Sequence, residues 1–229
     1  MNDMNSSMKS NPAARLFPRE LPEKRTEYGK VFQLDPKHFQ AVTYAMPIHE
    51  RGQNGAWAEI DLDALEHNYN EIKKLAKGKD ILAVVKANAY GHDDKAVCLK
   101  LQELGVKYYG VSNLWEGEKL RCHGITGTIL TFGYTDEDYF DELLEYGITQ
   151  TAGSVQYAKQ LSDYAVSKGV KLPVHIKVNT GMTRVGIDSQ QEMLDILAMP
   201  GLDCKAAYTH FSAADSLDPS DVEYTDRKS

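Results

Sequence analysis

The sequence is poor in cysteine, and its few are not paired. Cys98, Cys122 and Cys204 form no Cys-x-x-Cys pattern, which fits a reducing cytoplasm better than a disulfide framework. Histidines, cysteines and acids do not cluster at metal-ligand spacing, and His175 and His210 lie far apart, so no metal centre is expected. No apolar run reaches the roughly 18 residues that a membrane-spanning helix needs, and the N-terminal stretch lacks the apolar core of a secretory signal. Basic charge is not in excess. Lys and Arg number 26 against 33 Asp and Glu, a net charge of −7, whereas a nucleic-acid-binding face is normally basic. Missing too is a Gly-x-Gly-x-x-Gly turn after the first long apolar run, which a dinucleotide-binding sheet should show.

What remains is ordinary globular material, 42% hydrophobic and 26% charged, in a chain of 229 residues that can bury a substantial core. Residues 1–55 differ from the rest. The stretch to Glu27 is polar and broken by Pro12, Pro18 and Pro22, and Arg51-Gly52-Gln53-Asn54-Gly55 reads as a linker. These residues are expected to be a largely flexible extension. From Ala56 the pattern is regular. Ala56 to Leu62 alternates like a half-buried strand, and Leu65, Tyr69, Ile72 and Leu75 keep helical spacing behind a cap at Asp61 or Asp63. Strands are then expected at 81–85, 108–112, 128–132, 148–152, 174–178 and 206–211. Helices are expected between them at 93–104, 114–122, 137–145, 154–167 and 190–198, with a further one starting at Asp221. That alternation predicts an α/β fold with a parallel sheet. A barrel and a doubly wound sheet both satisfy it, and the missing glycine-rich turn favours the barrel.

The chain is organised around Ile81 to His92, ILAVVKANAYGH. The apolar run Ile81–Val85 reads as a buried strand, and Lys86 stands where it stops. In a (β/α) barrel the C-terminal strand ends carry the chemistry, and lysine can form a Schiff base once its amine is neutral. On position alone, a solvated lysine at a strand end is the more usual case. The run Val-Lys-Ala-Asn-Ala-Tyr-Gly-His resembles the cofactor-lysine signature of the alanine racemase family, pyridoxal-phosphate enzymes built on a barrel. The resemblance implies that Lys86 binds pyridoxal 5'-phosphate covalently and acts as a catalytic group, and that Tyr90 contacts the cofactor phosphate. One departure is Asp93, where the family often has glycine. His92 is assigned a structural role.

Two later stretches extend the resemblance. Asn179-Thr180-Gly181-Met182-Thr183-Arg184-Val185-Gly186 resembles the family's second signature. Taken alone, Arg184 could be a surface loop arginine. By resemblance it contacts the cofactor's phenolic oxygen and the substrate carboxylate, for which its fixed fork of donors is suited. Lys177 matches a lysine that many members carry as a carbamate. Tyr208-Thr209-His210-Phe211 matches a run whose histidine lies beside the cofactor ring, so His210 is expected in the last strand with a cofactor-binding role; alone it could be a hydrogen-bonded core histidine. The acidic run from Asp136 to Glu142 reads as a solvated helix start.

Residues 56–229 are therefore expected to form an incomplete TIM-like (β/α)8 barrel of parallel strands. Six strands are visible where a barrel has eight and about 250 residues, and the family's C-terminal β-domain is missing. The implied function is an amino-acid racemase interconverting L- and D-alanine for peptidoglycan, acting as a homodimer whose second base, a tyrosine, comes from the partner subunit. These 229 residues alone are expected to be inactive or nearly so. The alternatives are a serine or broad-specificity racemase and a non-catalytic pyridoxal-phosphate-binding barrel; a barrel-type decarboxylase fits the Ala-Asn-Ala-Tyr-Gly-His run poorly.

Overall fold

The computed structural model describes residues 58–228; the expected extension 1–55 and the start of the expected strand at Ala56 and Trp57 lie outside them. Helix α1 (Leu62–Leu75) opens the described chain, and the oxygen of Asp61 caps it by accepting the amides of Asp63 and Ala64, both at 2.9 Å. This is one of the two caps the sequence offered. The segment 58–61 is not a strand. A strand exists only through a hydrogen-bonded neighbour, and none of the sheet's pairings includes this stretch.

Then β1 (Leu82–Val84), α2 (Asp94–Glu103), β2 (Tyr108–Val111), α3 (Leu114–Cys122) and β3 (Thr128–Thr131) follow in strict alternation. A short 3₁₀ turn (Glu137–Tyr139) leads into α4 (Phe140–Glu145), then come β4 (Ile148–Ala152), α5 (Val155–Ser167), β5 (Leu172–Lys177), α6 (Gln190–Leu197), β6 (Leu202–Tyr208) and α7 (Pro219–Lys228). The six described strands pair parallel in chain order, β1 to β6. A dinucleotide-binding sheet reverses its order at a switch point; this one never does, as a (β/α) barrel requires. The chain thus builds part of such a barrel.

Repeated local chemistry sets the alternation. Helix α2 ends at Gly105, in left-handed conformation (φ +91°), with the Val106 amide on the Leu101 carbonyl at 2.9 Å and the Gly105 amide on the Gln102 carbonyl at 3.0 Å. Helix α3 ends in the same way at Gly124 (φ +86°). This paired closure satisfies terminal carbonyls and turns the chain toward the next strand. The residues that follow, Val106 and Ile125, are buried. The core lies between sheet and helices, with Ile129, Ile148, Leu161, Val174 and Ile176 almost wholly excluded from water.

Two further elements differ from expectation. The helix expected over 137–145 is split, with Tyr139 leaving helical geometry (φ −115°) so that Phe140 is buried edge-on against Tyr157 and Tyr164. Strand β6 runs Leu202–Tyr208 rather than 206–211. Its partners on β5 jump from Val174–Cys204 to His175–Ala206, leaving Lys205 in a bulge. One extra residue reverses the side-chain alternation, which hid the first half of the strand from pattern reading.

Candidate active site

Lys86 follows β1 directly. The Val85 amide still donates to the Gly110 carbonyl of β2 (2.9 Å), so the lysine stands at the C-terminal edge of the sheet. The turn it begins, Lys86–Gly91, is left-handed. Ala87, Asn88, Ala89 and Tyr90 all have φ between 52° and 57°. For residues with a Cβ this costs roughly 1–2 kcal/mol each, and such strain persists where the surroundings over-determine it, commonly at functional sites. Here the Ala87 amide donates to Glu116 Oε1 (2.8 Å), and Glu116 Oε2 accepts the Ser112 amide and hydroxyl, both at 2.7 Å. Asn88 Oδ1 accepts from Lys119 Nζ and the Asp94 amide, each at 3.2 Å. Lys119 also pairs with buried Asp94 at 2.9 Å, and His92 Nδ1 lies 3.0 Å from the Ala89 carbonyl. Lys86 is half-buried, with Nζ 5.9 Å from the centre of the Tyr90 ring, and Tyr90 is 59% exposed.

A second group surrounds the end of β5. Lys177, only 7% exposed, donates to the Val178 carbonyl at 2.7 Å, and its Nζ lies 5.7 Å from the centre of the Tyr208 ring. Burial, with Arg184 adding repulsion, holds the amine below its ordinary range. Tyr208 is pushed the other way by burial, and its hydroxyl meets Thr151 Oγ1 at 2.9 Å. The loop after β5 folds back on the strand. The Asn179 amide donates to the Ile187 carbonyl and the Ile187 amide to the Lys177 carbonyl, both at 2.9 Å. Asn179 Oδ1 braces the bend by accepting the amides of Gly181 (3.2 Å) and Thr183 (3.0 Å). Arg184 is carried on this loop, exposed. His210 is not in the last strand: β6 ends at Tyr208, and His210 lies two residues beyond it, exposed. The strand ends there because its last partner on β5 is Lys177, paired with Tyr208.

All these groups occupy one end of the sheet, where the carboxyl ends of the parallel strands lie. The sequence profile of the family "Alanine racemase, N-terminal domain" matches residues 60–228. The chain belongs to the alanine racemase N-terminal domain family. An alanine racemase of Clostridium perfringens is 42% identical over 166 residues, covering 71% of this chain and 43% of that protein. The solved alanine racemase of Clostridium difficile 630 superposes with a TM-score of 0.70 at 36% identity, covering 75% of this chain and 47% of that one. A histidine racemase of Leuconostoc mesenteroides superposes with a TM-score of 0.68 at 27% identity, covering 74% and 46%. The chain spans less than half the length of these relatives.

Of the family signatures in the chain, the structure brings Lys86 to Tyr90, and Lys177 to the influence of Arg184. Among the described residues no hydrogen bond or ion pair joins the two groups, and none joins His210 to either. Sequence reading gave no role to Tyr208, whose ring lies beside Lys177, to Thr151, which meets the Tyr208 hydroxyl, or to Glu116 and Lys119, which grip the turn. For Glu116 the available signal was Asn113-x-x-Glu116 at a helix start, which reads as capping. Its second partner, Ala87, is 29 residues away in sequence.

Proposed function

We propose that this chain supplies part of the active site of a pyridoxal-phosphate-dependent racemase that interconverts L- and D-alanine, with Lys86 as the cofactor-bearing amine. The observation that carries this is the placement of Lys86 on a strained turn at the carboxyl edge of a parallel sheet, within the region matched to the family. The residues present fit such a cofactor. Lys86 has no carboxylate at ion-pair distance among the described residues, so no salt bridge occupies its amine; Tyr90 and Arg184 offer exposed donors for a phosphate and a phenolic oxygen. When bound, the cofactor supplies an electron sink for negative charge at the substrate α-carbon.

Racemisation needs a base on one face of that carbon and an acid on the other. Lys86 takes or returns the α-proton on the face it lines. Arg184 holds the substrate carboxylate through its paired donors, fixing which face the amine meets. Lys177, whose amine is held below its ordinary range, would add carbon dioxide through its neutral form, release a proton, and as the resulting carbamate orient Arg184 by opposite charge. His210 borders the ring without moving a proton. The proton on the far face we assign to a tyrosine of a partner subunit in a homodimer. No helix among the described residues is long and apolar enough to cross a membrane, in keeping with a cytoplasmic enzyme supplying D-alanine for peptidoglycan.

A serine or broad-specificity racemase is the second reading, favoured by the similarity to a histidine racemase over 74% of this chain. Assaying the full-length protein with L-alanine, L-serine and L-histidine separates the two. Alanine is expected to turn over fastest, Lys86→Ala to abolish turnover, and Arg184→Lys to cut it about a hundredfold, as one charge cannot replace a bidentate fork. Equal rates on all three substrates would favour the second reading.

A further inference from the structure

We infer that Glu116 is a positioning residue for Lys86, clamping the left-handed turn through a bond from its carboxylate to the Ala87 amide. The inference rests on the reading of Lys86 as the cofactor-bearing amine. Four consecutive non-glycine residues, Ala87 to Tyr90, sit in the left-handed region, where an unsupported chain would relax. Helix α3 meets this turn with two side chains spaced one turn apart, which places them on the same face. Glu116 Oε1 takes the Ala87 amide, and Lys119 Nζ takes the Asn88 side-chain oxygen. They grip the first two left-handed residues, immediately after Lys86.

The carboxylate is itself fixed. Its other oxygen accepts the Ser112 amide and hydroxyl (2.7 Å each), and the Glu116 amide donates to Asn113 Oδ1 (3.0 Å). Helix capping explains the Oε2 bonds, because a glutamate at this position satisfies amides at its own helix start. It does not explain Oε1, which reaches across to the turn of another strand. A charged acceptor pinned at one end is well suited to hold a strained amide at the other.

The test uses the full-length protein and three measurements: hydrogen exchange of the peptide spanning 85–91, retention of pyridoxal phosphate at equilibrium, and the denaturation midpoint. Glu116→Ala should speed exchange at Ala87 and weaken cofactor retention, each by about tenfold. Ser112→Ala, which removes the hydroxyl's bonds to Glu116 and Asn113 on the capping side only, should leave both within about twofold. Adding Ala87→Gly to Glu116→Ala should recover several-fold of the lost retention, because glycine adopts the left-handed form without a Cβ penalty. If Glu116→Ala does not fold, Glu116→Gln replaces it; one remaining acceptor oxygen then predicts about a threefold loss.

Exchange and retention unchanged in the Glu116 variant would overturn the inference. So would a Ser112→Ala loss of equal size, or no recovery from the glycine. A wild-type protein that retains cofactor no better than Lys86→Ala fails on the separate matter of the lysine, while the exchange data still judge the grip of Glu116.

Discussion

At the scale of single residues, Lys177 shows how burial turns an ordinary side chain into a tunable one. The residue is largely buried, with one carbonyl and one aromatic face beside its amine and Arg184 acting on it electrostatically. Its proton is therefore held less tightly in the folded chain than in the unfolded one. Between the lowered folded value and the ordinary lysine value of about 10.4 the unfolded state binds more protons, so stability rises with pH through that window. Below it the full cost of burying the cation is present. Lys177→Met keeps the volume and removes the charge. Denaturation midpoints measured from neutral to alkaline pH should climb for the parent and stay flatter for the variant; parallel curves would contradict this. Lys86, Lys177 and Arg184 were legible in the sequence because each belongs to a run of residues with a recognisable signature. The contacts of Tyr208 with Thr151 and of Glu116 with Ala87 were not, since they join residues distant in the chain.

At the scale of elements, the strand–helix alternation was readable because apolar runs of four or five residues alternate with capped helices closed by glycine. Helix α3 and strand β4 have the bounds the sequence predicts. Pattern reading failed where a local irregularity broke the period, at the Lys205 bulge in β6 and at Tyr139 before α4. It also failed at 58–61, where alternation is present without a partner strand. Joints between elements were invisible as well, and Arg121 is the clearest. Buried in α3, it donates to the carbonyls of Ile125 and Gly127 (2.7 Å each), Tyr146 (2.8 Å) and Gly147 (3.1 Å), tying α3 to the loops before β3 and β4. Burial lowers its pKa to about 10, leaving it charged at neutral pH. Arg121→Met strands these carbonyls and should cost about 3 kcal/mol in denaturant unfolding. Arg121→Lys should recover little, because an ammonium cannot span four acceptors. A loss below about 0.5 kcal/mol, the scale of an ordinary surface substitution, would show that the joint is not structural.

At the scale of the whole molecule, a parallel sheet in chain order gathers Lys86, Lys177, Arg184 and His210 at one end, although the first and last are more than a hundred residues apart. Binding at that end should stabilise the entire fold. A ligand that binds only the folded chain, at a hundred times its dissociation constant, adds about 2.7 kcal/mol, which for a domain of this size raises the thermal midpoint by roughly 5 to 10 °C. Pyridoxal phosphate should produce that shift in the parent and much less in Lys86→Ala. The most direct measurement is to treat the protein with pyridoxal phosphate, reduce with borohydride, and identify the labelled residue by mass spectrometry of peptides. The account predicts the label on Lys86 and its disappearance in Lys86→Ala; a label on another side chain, or none, would contradict it.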